Sequence, residues 1–369
     1  MNATNLLVPT VILDSLNDGL YVCDINRKIV YWSKSAERLT GWASEDVVGH
    51  LCMDNILNHV DIDGHHLCGE ELCPLRRCMV TDRPSEAPVI IFGKTKSGER
   101  LPMAVTVAPL HDEGGRVIGG VETFRDFSET YASLERAKQI QTLSLEHDLP
   151  EDDRVSFSPF YLPHDMIGGD YFAIRQLDQD HYGFMLADVM GHGVAAALHT
   201  MELSSLWNRH CHSLREPAHF ARLLNRDLCK IVRDESFATA LCGILDATRK
   251  TVRIASAGGP PLVIVRSDGQ SEQVIAAGLP FGLIADADYR EKHFSCSPGD
   301  SLLMFTDGAV EINDPDGHLL GADGLIGILN SQGYPASDIR IEALKEALLT
   351  FSNEIRLQDD LTLLEIRFS

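Results

Sequence analysis

Four aspartates in the C-terminal half of this sequence share one local setting: Asp170 follows "MIGG", Asp188 follows "GFMLA", Asp307 follows "SLLMFT" and Asp359 precedes "DLTLLEI". Each stands at the edge of an apolar, strand-like run, so a sheet would fix the carboxylates and deliver them at one end. Convergent carboxylates repel, and a dry cluster of them is tolerable only when a cation neutralises them or some stay protonated. One such aspartate alone reads as a turn residue or a helix cap. The same setting repeated at all these positions points instead to a site.

The ligand type selects the metal. Carboxylate oxygens with water suit hard ions such as Mg2+ or Mn2+, whereas zinc would call for His or Cys alongside them. Two ions sharing a carboxylate can direct a water in line at a phosphorus centre. The neighbouring Gly168, Gly169, Gly191, Gly193 and Gly308 let backbone approach ions or a phosphate closely.

The elements that position these residues follow from the rest of the chain. At 369 residues it is too long for one ordinary core, and two domains are expected. An apolar fraction of 44% is that of globular proteins. A net charge of -22 argues against a general nucleic-acid binder, whose surface must be basic to release counterions. No stretch approaches the roughly 18 consecutive apolar residues of a membrane span, and the N-terminus lacks a basic start and a cleavage pattern, so a cytoplasmic location without membrane contact is expected. Residues 128–154 separate two halves. Tyr131, Leu134, Ala137 and Ile140 predict a connecting helix that ends before Pro150. Its heptad pattern is short and imperfect, which leaves both pairing with a second copy in a homodimer and a plain linker open.

The N-terminal half reads as a helix over "NLLVPTVILDSLN", a hairpin turning at Asp24 to Lys28, a helical "KSAERLTGWASEDVVG" closed by Gly49, and three strands broken at Ser97-Gly98 and Glu113-Gly115. That order predicts a five-stranded antiparallel sheet with helices on one face. Through "NDGLYVCDINRKIVYWSKSAERLTGWASEDVVGH" and "GGRVIGGVETFRDFSE" the region resembles a PAS sensor domain over residues 9–130. The resemblance implies a small cavity enclosed by sheet and helices and a sensory role.

The C-terminal half reads as one strand over "VSFSPFYLPHDMIGGDYFAIRQLD", a strand "HYGFMLADV", helices from Val194 to His210 and Arg215 to Arg233, then a run of hairpins. Stacked sheets covered by helices are expected. The motifs "GGDYF", "ADVMGHGVAAAL", "FATALCGILD", "ASAGGPPLVIV", "GLPFGL", "PGDSLLMFTDGAVE" with "DPDGHLLG", and "DDLTLL" occur in order. They resemble the SpoIIE-like branch of the PPM family of metal-dependent protein phosphatases.

The two resemblances and the linker reading together give an α+β chain with the PAS domain at 9–130, a helical linker at 131–152 and, by the phosphatase resemblance, an α-β-β-α sandwich at 153–369. The phosphatase resemblance also implies a centre of two Mn2+ or Mg2+ ions acting on phosphoserine or phosphothreonine. Carried over position by position, Asp170 is the bridging ligand, Asp188 a ligand with the Val189 carbonyl beside it, and Asp307 and Asp359 complete the set, with Asp360 the less favoured of its pair. His192 is implied as proton donor to the leaving oxygen, against its plainer reading as a helix-entry residue between two glycines. The implied partner is a STAS-domain anti-sigma-factor antagonist. Two departures stand out: Gly259 where the family often has His, and Ala173-Ile174 where it often has Asp.

The segment "GHLCMDNILNHVDIDGHHLCGEELCPLRRC" carries Cys52, Cys68, Cys73 and Cys78 with His59, His65 and His66 nearby. Thiolates and imidazoles suit zinc, an iron–sulfur cluster or haem iron. The tight spacing of zinc knuckles and the Cys-x-x-Cys-His of attached haem are absent, so structural or redox-reactive thiols stand as the alternative to a metal or redox centre. Two rival functions fit less well. A sensor histidine kinase needs a phosphoacceptor His in a helical hairpin, and residues 131–149 offer His147 alone, near a helix end. A non-catalytic scaffold would not need the full set of aspartates.

Overall fold

The first hairpin forms where its turn chemistry dictates. In the computed structural model of the chain, β1 (Gly19–Asp24) pairs antiparallel with β2 (Ile29–Trp32). Asp24 Oδ1 accepts the backbone N–H groups of Asn26 and Lys28, each at 2.9 Å. An aspartate that closes its own turn in this way needs no help from the rest of the fold. The structure describes residues 9–62, 64–69, 72–85, 88–145, 149–191, 193–231, 236–354 and 357–369. His147 and His192 lie outside them. The chain divides into two compact units, Met1–Ser133 and Leu134–Ser369.

In the first unit, β3 (Val89–Lys94), β4 (Arg100–His111) and β5 (Val117–Asp126) complete an antiparallel sheet in the order β2-β1-β5-β4-β3. Helices α1 (Pro9–Ser15), α2 (Lys34–Thr40), α3 (Ser44–Val47) and α4 (Pro74–Thr81) accompany it. The single helix expected over 34–49 is two. Gly41, at φ 74°, caps α2 by donating its N–H to Glu37 O, a left-handed geometry that ends a helix cheaply only at glycine. The core joins Tyr21, Trp32, Ile91, Met103 and Phe124 to the buried thiols of Cys52, Cys73 and Cys78.

Helix α5 (Ser128–Leu145) follows β5. Its apolar positions do not form one buried stripe: Ile140 is 54% exposed, while Gln141 and Leu145 are buried.

The second unit contains two five-stranded antiparallel sheets. The single strand expected over 155–178 is two, β6 (Val155–Leu162) and β7 (Asp170–Gln176), and they belong to different sheets. Pro163 and the Gly168-Gly169 pair interrupt the run, and a proline cannot donate to a ladder. One sheet runs β13 (Lys292–Ser295), β10 (Thr251–Ala257), β9 (Ala238–Asp246), β8 (His181–Val189), β7. The other runs β12 (Ser271–Val274), β11 (Leu262–Val265), β14 (Ser301–Phe305), β15 (Leu361–Phe368), β6.

Side chains alternate across both sheets. Leu364, Ile366 and Phe368 of β15 meet Phe184, Leu186 and Leu241 of the facing sheet in one core, while Leu361 and Leu363 point the other way. Helices α6 (Val194–His210) and α7 (Pro217–Ile231) cover the outer face of the first sheet. Helices α8 (Gly321–Ser331) and α9 (Ile341–Ser352), in a stretch to which the sequence pattern assigns no element, cover the outer face of the second through Leu325, Leu329, Leu344 and Leu348. The layers are helix, sheet, sheet, helix, as the resemblance implied. Among the described residues no helix is long and apolar enough to cross a membrane.

Leu364 is fully buried between the sheets. Leu364→Ala is expected to lower unfolding stability by about 2–5 kcal/mol, the range for a leucine cavity that neighbours fill only partly. Urea unfolding followed by circular dichroism measures it, and a loss below about 0.5 kcal/mol would contradict this packing.

Candidate metal centre

Strand register brings the first two carboxylates together. Asp170, the first residue of β7, lies directly across the ladder from Asp188 of β8, and Asp188 faces Thr239 of β9 on its other side. In the second sheet Phe305 of β14 pairs with Leu363 of β15, so Asp307, just past the end of β14, and Asp359, just before β15, emerge at the same edge. Stacking then joins the two edges. Thr306 and Thr362, from the second sheet, both donate hydroxyls to Asp170 Oδ2, at 2.8 and 2.5 Å.

The electrostatics follow from that crowding. Asp170 is 1% exposed, and burial together with Asp188 and Asp360 holds its carboxyl well above the usual range. Asp188 is pushed up to about 8 by burial first and then by Asp307 and Asp359. Asp307 is raised by burial and by Asp359. Among the described residues no Lys or Arg forms an ion pair with Asp170, Asp188, Asp307 or Asp359. No three of these carboxylate oxygens lie within 4.8 Å of one another. Oxygen donors with no cationic side chain paired to them suit hard cations.

Asp360 behaves differently from Asp359. It is 3% exposed, and its two oxygens accept the N–H groups of His164 at 2.6 Å and Gly169 at 2.5 Å. Both oxygens are engaged in tying β15 to the turn before Asp170, whereas Asp359 is half-buried and among the described residues accepts the Asp360 N–H alone. The Val189 carbonyl faces Gly169, where a Cβ would stand 2.9 Å away from it, so only glycine permits this approach. At Gly308 a Cβ would stand 2.0 Å from the Asp360 carbonyl oxygen. His192 lies outside the described residues. Gly259 lines a small cleft with Asp188, Thr239 and Thr306, and Ala173 and Ile174 are buried in the cores.

Sequence reasoning missed the supporting residues. Thr306 and Thr362 stand inside quoted motifs, but their hydroxyls matter only because the sheets stack. Gln141 of α5 is buried and donates its amide to Gly168 O at 2.7 Å and Thr200 Oγ1 at 3.0 Å, while its oxygen accepts the Gly168 N–H at 3.2 Å. It clamps the turn that precedes Asp170. Elsewhere, Asp314, Asp316 and His318 bring their ligand atoms within 4.8 Å of one another, but Asp314 is occupied in closing its own turn through the Asp316 and His318 N–H groups.

Comparison with known proteins places both halves. The family described as stage II sporulation protein E (SpoIIE) matches residues 178–369, and a PAS fold matches residues 13–132. The first match includes Asp188, Asp307 and Asp359 and begins after Asp170. The phosphoserine phosphatase RsbP of Bacillus subtilis (strain 168) is 28% identical over 186 residues, 49% of this chain and 46% of that protein. The phosphoserine phosphatase RsbU of the same organism is 24% identical over 240 residues, 65% of this chain and 71% of that protein. The chain thus spans about half the length of RsbP. Among solved structures, the SiaA-PP2C domain of Pseudomonas aeruginosa matches with a TM-score of 0.56 at 24% identity, covering 66% of this chain and 98% of that one. The PP2C phosphatase domain of SpoIIE from Bacillus subtilis, with a fragment of its regulatory domain, matches with a TM-score of 0.51 at 19% identity, covering 77% and 80%. At these identities the structural likeness is one of fold.

A carboxyl whose pKa is higher in the folded than in the unfolded chain stabilises the fold only while protonated. For Asp188 that contribution is complete below about pH 4, the unfolded value, and is lost as pH rises through about 8. In chelator, melting temperature should therefore fall between these limits, and Mn2+ should restore it most at the alkaline end. Melting curves with and without Mn2+ measure this; a metal effect larger at acid than at alkaline pH would contradict it.

Proposed function

The chain belongs to the SpoIIE family, and from that premise we propose that Asp170, Asp188, Asp307 and Asp359 form the metal-dependent active site of a protein serine/threonine phosphatase. The observation that carries this reading is the meeting of carboxylates from two separate sheets at one edge, among the described residues without a cationic side chain to pair them.

Mn2+ or Mg2+ would be held by these carboxylates, with the Val189 carbonyl beside them. When bound, such ions polarise phosphoryl oxygens and lower the pKa of water for in-line displacement at phosphorus. The chain's own part is positional. Thr306 and Thr362 hold one oxygen of Asp170, which lies across the ladder from Asp188. Asp360 and Gln141 pin the Gly168-Gly169 turn from two sides. The bond between phosphorus and the serine or threonine oxygen breaks, and the departing oxygen takes a proton, a role assigned to His192 because an imidazole titrates near neutrality.

The names of RsbP and RsbU support phosphoserine as the substrate group, and family analogy supports a STAS-domain anti-sigma-factor antagonist as the protein carrying it. On this reading the PAS unit senses a signal in the cytoplasm, through a metal or redox centre among Cys52, Cys68, Cys73 and Cys78, and the chain acts as a homodimer through the PAS unit and α5.

Mn2+-dependent release of nitrophenol from p-nitrophenyl phosphate tests the site. Asp188→Asn and Asp307→Asn should each lower turnover by more than about 100-fold, beyond the 10–100-fold typical of supporting residues. Thr362→Val should fall within that smaller range by weakening metal affinity. Equal activity in wild type and both aspartate variants would overturn the assignment.

A further inference from the structure

The PAS unit buries two polar groups that its own hydrogen bonding leaves unanswered. Glu122 sits in mid-strand on β5, across from Tyr21 of β1 and Val107 of β4, and faces the core with 1% of its surface exposed. Tyr21 serves the carboxyl, yet among the described residues Glu122 Oε1 has no hydrogen-bond partner. His59, 3% exposed, lies between α3 and α4, and its Nε2 is likewise unpartnered. These two atoms lie 3.6 Å apart. The separation exceeds a hydrogen bond. It is close to the roughly 3.4 Å between two ligand atoms that share a tetrahedral ion with bonds of about 2.0–2.2 Å.

Thiols surround the pair. Cys52 and Cys73, 8% and 5% exposed, belong to the same core cluster, and the Glu122 charge reaches both, as it reaches Cys23, Cys68 and Cys78, with Cys23 hydrogen-bonded to Cys52. Cys68 Sγ accepts the His59 backbone N–H at 3.1 Å, which fixes the imidazole's starting point. Cys78, on α4, feels Asp82 at the end of its own helix before it feels Glu122. Burial pushes the Glu122 carboxyl up to about 8 and the His59 imidazole down to about 4. Burial thus favours the neutral form of both groups.

We propose that His59, Glu122, Cys52 and Cys73 form a binding site for a soft divalent cation of the zinc class in the core of the PAS unit, with Cys68 positioning His59. This rests on the reading of the cysteine-rich segment as a metal centre and redraws its ligand set, bringing in His59 and Glu122 and leaving out Cys78. Two sulfurs, one nitrogen and one carboxylate oxygen select zinc over the hard ions of the other unit. No three of the ligand atoms lie within 4.8 Å, so the Cys52 and Cys73 thiols move inward as they bind, and both thiols and Glu122 release their protons to solvent.

The test uses the reduced full-length chain in excess Mg2+, titrated anaerobically with Co2+ and then with Zn2+. One cobalt per chain should produce a thiolate-to-cobalt charge-transfer band and the intense visible bands of four-coordination, and zinc should abolish both. His59→Gln and Glu122→Gln, checked for folding by circular dichroism, should each weaken cobalt affinity by at least about 10-fold. Cys78→Ser should leave it unchanged. X-ray absorption of the zinc-loaded wild type needs no variant and should give two sulfurs at about 2.3 Å and two lighter atoms at about 2.0–2.2 Å. Absence of any charge-transfer band would remove the metal reading of the segment altogether. A band that is indifferent to His59→Gln and Glu122→Gln or lost in Cys78→Ser, or a shell of four sulfurs, would leave a cysteine metal centre standing and overturn this ligand set.

Discussion

Repulsion between Asp170 and Asp188 is the constraint on which the second unit depends. Neighbouring antiparallel strands place them face to face, where like charges destabilise a sheet, and Asp307 and Asp359 add further negative charge from the opposite layer. A chain that folded for stability alone would not gather these groups at one edge. The cost is tolerable because the apolar layers beneath are extensive and because oxygen-binding cations can relieve it.

Much of the surrounding structure serves to hold those carboxylates in place. Asp360 ties the last strand to the turn before Asp170, two threonine hydroxyls fix one Asp170 oxygen from across the sandwich, and Gln141 reaches that same turn from α5. Glycines at 169 and 308 admit carbonyls that any side chain would displace. These supports come from four separate parts of the sequence, so the site forms only when both sheets and α5 are in place. The PAS unit repeats the theme on a smaller scale, with a buried carboxyl and imidazole left facing each other among thiols.

What the sequence made legible was local. Apolar runs that stop on an aspartate marked the ends of β8 and β14, the Asp24 turn announced its hairpin, and the family resemblances fixed the layer order. Non-local relations escaped. Thr362 reads as an ordinary strand residue until β15 is seen to lie over Asp170, and Asp360 reads as a duplicate of Asp359 until its oxygens are found on His164 and Gly169. The split of residues 155–178 between two sheets was legible in Pro163, His164, Asp165 and the Gly168-Gly169 pair, which interrupt the apolar run. Helices α8 and α9 fall between the motifs, in a stretch without a motif of its own, and their leucines at helical spacing are the signal that could have found them. Glu122 carried a readable signal, since it shares the inward register of Phe124.

The central claim is that the shared edge of the two sheets is a two-cation site. Anomalous diffraction at the manganese edge from crystals grown with Mn2+ tests it most directly. The account predicts two peaks per chain at the edge where Asp170, Asp188, Asp307 and Asp359 meet. A single peak elsewhere, such as at Asp314, Asp316 and His318, or an edge that stays empty in Mn2+, would contradict it.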